Sequence, residues 1–117
     1  MSIERIEVGP RMSQAVIHGD TVYLAGIVAD RRAGTSVADQ TTQVLQRIDD
    51  LLAKAGTDKS KLLKANIWLR DIGDFAEMNS VWDKWVPQGH APARACVESL
   101  MASPNILVEI QVIAAKG

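Results

Sequence analysis

The stretch HAPARACVESL, residues 90–100, places Arg94, Cys96 and Glu98 at every second position, with Ala95 and Val97 between them. A β-strand sends successive side chains to opposite faces. The run from Ala93 to Leu100 therefore reads as a strand with a guanidinium, a thiol and a carboxylate on one face, and Ala93, Ala95 and Val97 on the other. The small apolar face is the one expected in a core. The polar face needs a separate reason.

The flanking segments repeat the pattern. Downstream, Ile106–Ala114 alternates, with Ile106, Val108, Ile110 and Val112 expected inward and Leu107, Glu109, Gln111 and Ile113 outward. Upstream, Leu62–Arg70 alternates too: Leu63, Ala65, Ile67 and Leu69 make the expected core face, and Leu62, Lys64, Asn66, Trp68 and Arg70 the other. Ile3–Val8 is a short strand stopped by Gly9-Pro10, and Gln14–His18 and Thr21–Val28 are joined by the hairpin signal Gly19-Asp20. A polar loop follows, Asp30–Thr35. Apolar residues at helical spacing then run from Val37 to Ala55, with Ser36 placed to cap the start and Gly56 to end the helix. Phe75, Met78, Trp82, Trp85 and Val86 define a second amphipathic helix with Asp74 as the expected cap. This order predicts an α+β fold: a mixed β-sheet with two helices packed on one face, in a single domain spanning 1–117.

Two helices cover one side of such a sheet. The other side is then expected to display Arg94, Cys96, Glu98, Leu107, Glu109, Gln111, Ile113, Asn66 and Trp68. An exposed apolar patch of that size is unusual for a monomer, and Arg and Glu inside a dry core would lack partners. Both difficulties disappear if copies of the chain pack their open faces together and leave polar pockets between them. The pattern thus predicts a homo-oligomer.

Composition bounds the function. Thirteen basic and 14 acidic residues give a net charge of −1, so there is no electrostatic footprint for nucleic acid or an anionic membrane. The 47% hydrophobic and 23% charged content is that of a soluble globular protein. No apolar run approaches the length of a membrane span, and the charged N-terminus MSIERIEVGP does not resemble an export signal. One cysteine and two histidines offer neither an intrachain disulfide nor a zinc-ligand pattern. A cytoplasmic, metal-free protein is expected.

The ordered set APARACVE, LVEIQVIAA, GP–SQAV at 9–16, VYLAG at 22–26, KAG at 54–56 and DFAEMN at 74–79 resembles the reactive intermediate deaminase (RidA/YjgF) family over nearly the whole chain. The resemblance implies a chorismate-mutase-like fold, assembled as a trimer with clefts between subunits. It also implies that the last strand inserts within the sheet, whereas spacing alone would pair Ala93–Leu100 and Ile106–Ala114 as a hairpin. Members of the family hydrolyse enamine and imine products of pyridoxal-phosphate enzymes to 2-oxo acids and ammonia. On that reading Arg94, Glu109 and Cys96 are the candidate catalytic residues, and Arg94, Gly26, Asn79, Ala25, Ile27 and Met12 the candidate substrate-binding ones. Arg94 offers the planar fork that grips a carboxylate with two hydrogen bonds. Glu109 has the chemistry of a base for the attacking water. The backbone of Gly26 and Cys96 would help hold substrate and water, with Asn79 near the cleft. The resemblance implies a small imine, enamine or carboxylate ligand as partner, and no metal or organic cofactor, because an imine carbon is already electrophilic.

Other assignments compete. Arg94 can instead pair with Glu98 or Glu109 as an ion pair, and Cys96 can serve as a small packing residue. The chain also departs from the family's pattern. Where relatives carry a tyrosine shortly after Gly-Pro, this chain reads GPRMSQ, with Arg11 and Met12; where many read Ser-Gly-Gln, it has Ala25-Gly26-Ile27. Two side-chain hydrogen-bonding groups are absent, and Met12 and Ile27 are expected to make one wall apolar. A non-catalytic carboxylate-binding module with the same cleft is therefore the alternative function, and an RNA-directed activity a third.

Overall fold

The computed structural model describes residues 2–117. In chain order the elements are β1 (Ile3–Val8), β2 (Ser13–His18), β3 (Thr21–Leu24), α1 (Val37–Lys54), β4 (Leu62–Leu69), α2 (Phe75–Trp85), β5 (Ala93–Glu98) and β6 (Val108–Ala115), with short 3-10 turns at Lys59–Lys61 and Ile72–Asp74. The six strands form one sheet in the order β1-β2-β3-β6-β4-β5. β4 and β5 run parallel, joined through α2, and the other neighbours are antiparallel. β6 sits between β3 and β4, so the hairpin drawn from spacing alone does not form and the inserted last strand does.

Local chemistry explains these elements. In the first hairpin His18 pairs with Thr21, and Gly19 at φ 61 supplies the positive φ of a type II′ turn. Ser36 and Asp39 close a capping box at the start of α1, and Gly56 at φ 84 follows its last turn. Each helix lays its apolar stripe on the same side of the sheet. Val44, Leu45, Ile48, Leu51 and Leu52 of α1, with Met78 and Trp82 of α2, pack over Ala65, Ile67, Leu69, Val108, Ile110 and Val112. Burying a side chain of the Leu or Ile kind is worth about 1.5–3 kcal/mol, and this layer is the core.

One buried polar residue belongs to it. Gln40 is fully buried, its Nε2 donating to Asn105 O at 2.9 Å and to Thr35 Oγ1 at 3.1 Å, while its Oε1 accepts from Leu107 N at 2.9 Å. Gln40 ties α1 to the loop that delivers β6.

Four sequence expectations are corrected. β3 ends at Leu24 rather than Val28, although Ile27 rejoins the sheet through a bridge to Ile110. In β4 the register slips between Leu62 and Lys64, so Leu62 is buried and Leu63, expected in the core, is 50% exposed. An extra residue at a bulge reverses the alternation for everything before it. Asp74 makes no side-chain cap bond at α2; Asp71 caps the preceding turn by accepting from Gly73 N at 2.8 Å. The largest correction concerns β5. Arg94, Cys96 and Glu98 register with Ala65, Ile67 and Leu69, all on the helix-covered face, whereas Ala95 and Val97 register with Asn66 and Trp68 on the open face. Alternation fixes which residues share a face. It does not say which face is covered when the strand lies at the sheet edge.

Candidate functional site

On the open face, Glu109 of β6 lies opposite Trp68 of β4. Beside it the chain leaving β3 runs through Gly26. A Cβ built on Gly26 would overlap the Glu109 carboxylate and come within 3.1 Å of its Cδ, so the missing side chain is what lets the carboxylate lie against the backbone there. The segment is held on both sides. Ala25 N donates to Gln14 O at 2.9 Å, Ile27 N to Ile110 O at 2.8 Å, and Ile110 N back to Ile27 O at 3.1 Å. Gln111 Nε2 donates to Leu24 O at 3.3 Å. Glu109 therefore projects from a central strand against a backbone pinned to that strand.

A cleft of about 690 Å³ opens next to this segment, bordered by Met12, Gln14, Gly26, Ile27, Val28 and Asp30, with Glu7, Arg47 and Asp50 at its far side. Met12 is half exposed and is free to act as a wall. Ile27, expected to line the site, borders the cleft but is only 3% exposed and belongs to the core. Ala25 is partly buried against that core.

Arg94 is elsewhere. It sits on the edge strand β5, on the helix side, and reaches α2. Its Nη1 donates to Asn79 Oδ1 at 2.8 Å, and its guanidinium carbon lies 5.3 Å from the ring centre of Trp82 and 5.8 Å from that of Phe75. The competing ion pairs do not form: among the described residues the salt bridges join Glu7 to Arg47 and to Lys54. Glu98 instead accepts from Ile72 N at 3.0 Å, holding the turn that leads into α2. Arg94 thus keeps an exposed, un-neutralised charge.

Cys96 lies between Arg94 and Glu98 along the strand and packs partly against the core. Burial pushes its thiol above the usual range, opposed by the nearby Arg94 charge. That environment disfavours a thiolate, the reactive form.

The structure therefore brings Glu109 against Gly26, puts Met12 in a cleft that Gly26 borders but Glu109 does not line, and sets Arg94 with Asn79 apart from both. Arg94 and Glu109 project from opposite faces of the sheet, with β4 between their strands. The amphipathic pattern of α2 does not by itself reveal that the Phe75 and Trp82 rings stand behind Arg94. The signal for a shared stripe is the helical spacing of Phe75, Asn79 and Trp82.

Comparison with known proteins agrees with this architecture. The family model described as Endoribonuclease L-PSP matches residues 2–116. The RutC family protein YoaB of Escherichia coli is 43% identical over 115 residues, covering 98% of this chain and 99% of its own. The chloroplastic Reactive Intermediate Deaminase A of Arabidopsis thaliana is 33% identical over 107 residues, covering 87% of this chain and 57% of that protein. A crystal structure of a YjgF-family protein from Neisseria meningitidis superposes with a TM-score of 0.97 at 47% identity, covering 100% of this chain and 97% of the other. With the model spanning nearly every residue and relatives this similar along their full length, the chain belongs to the RidA/YjgF family, also called the L-PSP or RutC family.

Proposed function

We propose that this protein hydrolyses 2-imino acids, and the enamines that tautomerise to them, to 2-oxo acids and ammonia in a cleft between subunits of a homotrimer. The observation that carries the proposal is an oriented guanidinium without an ion-pair partner on one face of the sheet and a carboxylate set against Gly26 on the other, each open to completion by a neighbouring copy. A 2-imino acid needs both.

Arg94 would receive the substrate carboxylate through two charge-assisted hydrogen bonds. Glu109 would take a proton from water as its oxygen forms a bond to the imine carbon. Glu109 returns that proton to the nitrogen, giving a carbinolamine; the hydroxyl proton then passes to the amine by way of Glu109 as the C–N bond breaks, so the carbonyl forms and ammonia leaves. Water supplies the oxygen, and no electrons are gained or lost. The imine carbon is already electrophilic, so holding substrate and water in register is the main task.

Because Arg94 and Glu109 lie on opposite faces of one sheet, a shared cleft calls for two copies. The open face supports assembly: Tyr23 is 44% and Val97 51% exposed there, beside Trp68 and Ile113. The name of the matching family model refers to RNA cleavage. A net charge of −1 without a basic, aromatic-rich stripe weighs against an RNA substrate. The replacement of a cleft phenol by Arg11 and Met12 favours the alternative, a carboxylate-binding module without turnover.

The test is to generate a 2-imino acid with an amino-acid oxidase and time its disappearance by semicarbazide trapping. Wild type should accelerate the loss, and Arg94→Ala and Glu109→Ala should not. A well-folded oligomer that leaves small, aromatic and acidic imines at their spontaneous rate would overturn the enzymatic reading in favour of the binding module.

A further inference from the structure

Phe75, Asn79 and Trp82 stand at positions i, i+4 and i+7 of α2 and form one stripe facing the edge strand. All three meet the same group. Trp82 is almost fully buried and sets its ring 5.3 Å from the Arg94 guanidinium carbon; Phe75, 41% exposed, sets its ring at 5.8 Å. Both distances are within the range in which a ring face attracts a cation. Asn79 Oδ1 takes one N–H of Nη1 at 2.8 Å. We propose that this stripe is a positioning cradle for Arg94, fixing the plane of the guanidinium and occupying one donor while leaving its charge and its other donors to an incoming carboxylate. The inference rests on the carboxylate-binding role given to Arg94 above.

The choice of side chains is what distinguishes a cradle from ordinary packing. A guanidinium on an exposed edge strand has many rotamers, and ordering it on binding would weaken the complex. Ring faces restrict it without contributing a counter-charge. The neutral amide does the same: an aspartate at position 79 would hold Arg94 more firmly but cancel the charge the ligand needs. Glu98, on the same strand face, is engaged with Ile72 N and so does not compete. Phe75, Asn79 and Trp82 act through Arg94 and are positioning residues.

The experiment measures binding of pyruvate, a stable 2-oxo acid, to the intact oligomer by ligand-observed NMR. Trp82 is buried and its truncation endangers the fold, so the informative variants are Phe75→Leu, Phe75→Tyr and Asn79→Asp, with Arg94→Ala as reference. The cradle predicts that Phe75→Leu weakens binding about two- to fivefold and that Phe75→Tyr, which keeps the ring, restores it. Asn79→Asp should weaken binding roughly tenfold or more by neutralising Arg94. If Phe75→Leu and Asn79→Asp bind as wild type while Arg94→Ala does not, the cradle is overturned and the carboxylate role stands. Should Arg94→Ala bind pyruvate as well as wild type, both fall.

Discussion

A methyl group at position 26 would stand where the Glu109 carboxylate now lies. Gly26→Ala must therefore displace the one candidate base while leaving the core untouched. Deaminase turnover should fall with this variant nearly as far as with Glu109→Gln, for which losing a positioned base predicts about a 10²- to 10⁴-fold drop in kcat. Thermal unfolding of the two variants, measured alongside, should stay close to wild type. Arg94 answers to a different parameter. Each of its charge-assisted bonds is worth about 1.5–3 kcal/mol, so Arg94→Ala should raise KM steeply for carboxylate-bearing imines. Cys96 makes the opposite prediction. With its thiol pushed up by burial, it should alkylate more slowly than a free cysteine at mildly alkaline pH, and Cys96→Ala should retain most activity. An alkylation time course followed by mass spectrometry checks the first expectation, and imine trapping the second.

Among the elements, β1 and α1 are joined by an arrangement that pH can probe. Glu7 adopts φ 51, a conformation uncommon outside glycine, and its carboxylate meets Arg47 and also Lys54 at 2.6 Å. The hydrogen bonds from Arg47 and Lys54 lower its pKa from 4.5 to about 2. A carboxylate whose folded pKa is depressed contributes stability above its unfolded value, and that contribution is lost as pH falls towards the folded value. The stability gap between wild type and Glu7→Gln should thus be full above about pH 4.5 and close as pH approaches 2, read from urea unfolding across that window. The Gln40 link is expected to behave differently. Gln40→Leu removes the bonds to the half-buried Leu107 N–H and to the Asn105 carbonyl, and about 0.5–1.5 kcal/mol per bond should be lost at any pH.

These elements also show what a sequence carries. The caps at Ser36 and Gly56 and the turn at Gly19-Asp20 are local chemistry, and the helix and hairpin followed from them. The bulge at Leu62–Lys64 leaves no local mark, so alternation alone assigns Leu63 to the core and Leu62 to the surface. Asp74 looked like a cap because Asp71 performs that task on a turn that spacing does not reveal. The hydrogen bonds from Gln40 to Asn105 and Leu107 span more than 60 residues, and nothing nearby announces them.

At the scale of the whole molecule, the chain alone leaves its work unfinished. Tyr23, Trp68, Val97 and Ile113 share the uncovered face of the sheet, and the two candidate charges point away from each other across it. The motif residues make Arg94, Glu109 and Gly26 the candidates, and the mixed face predicts an oligomer. Alternation places Arg94 on the same face as Glu109 because it cannot distinguish a covered edge from an open one. The structure moves Arg94 to the helix side, which strengthens the case for a site built from two copies. Mixing decides this directly. Arg94→Ala and Glu109→Ala chains, each inactive alone at imine concentrations below the wild-type KM, should be unfolded together, refolded as a 1:1 mixture and assayed for imine loss at such a concentration. If each cleft takes Arg94 from one copy and Glu109 from its neighbour, random assembly leaves roughly one cleft in four intact, and activity should return to about a quarter of wild type. No recovery, with hybrid oligomers confirmed by native mass spectrometry, would contradict a cleft shared between subunits.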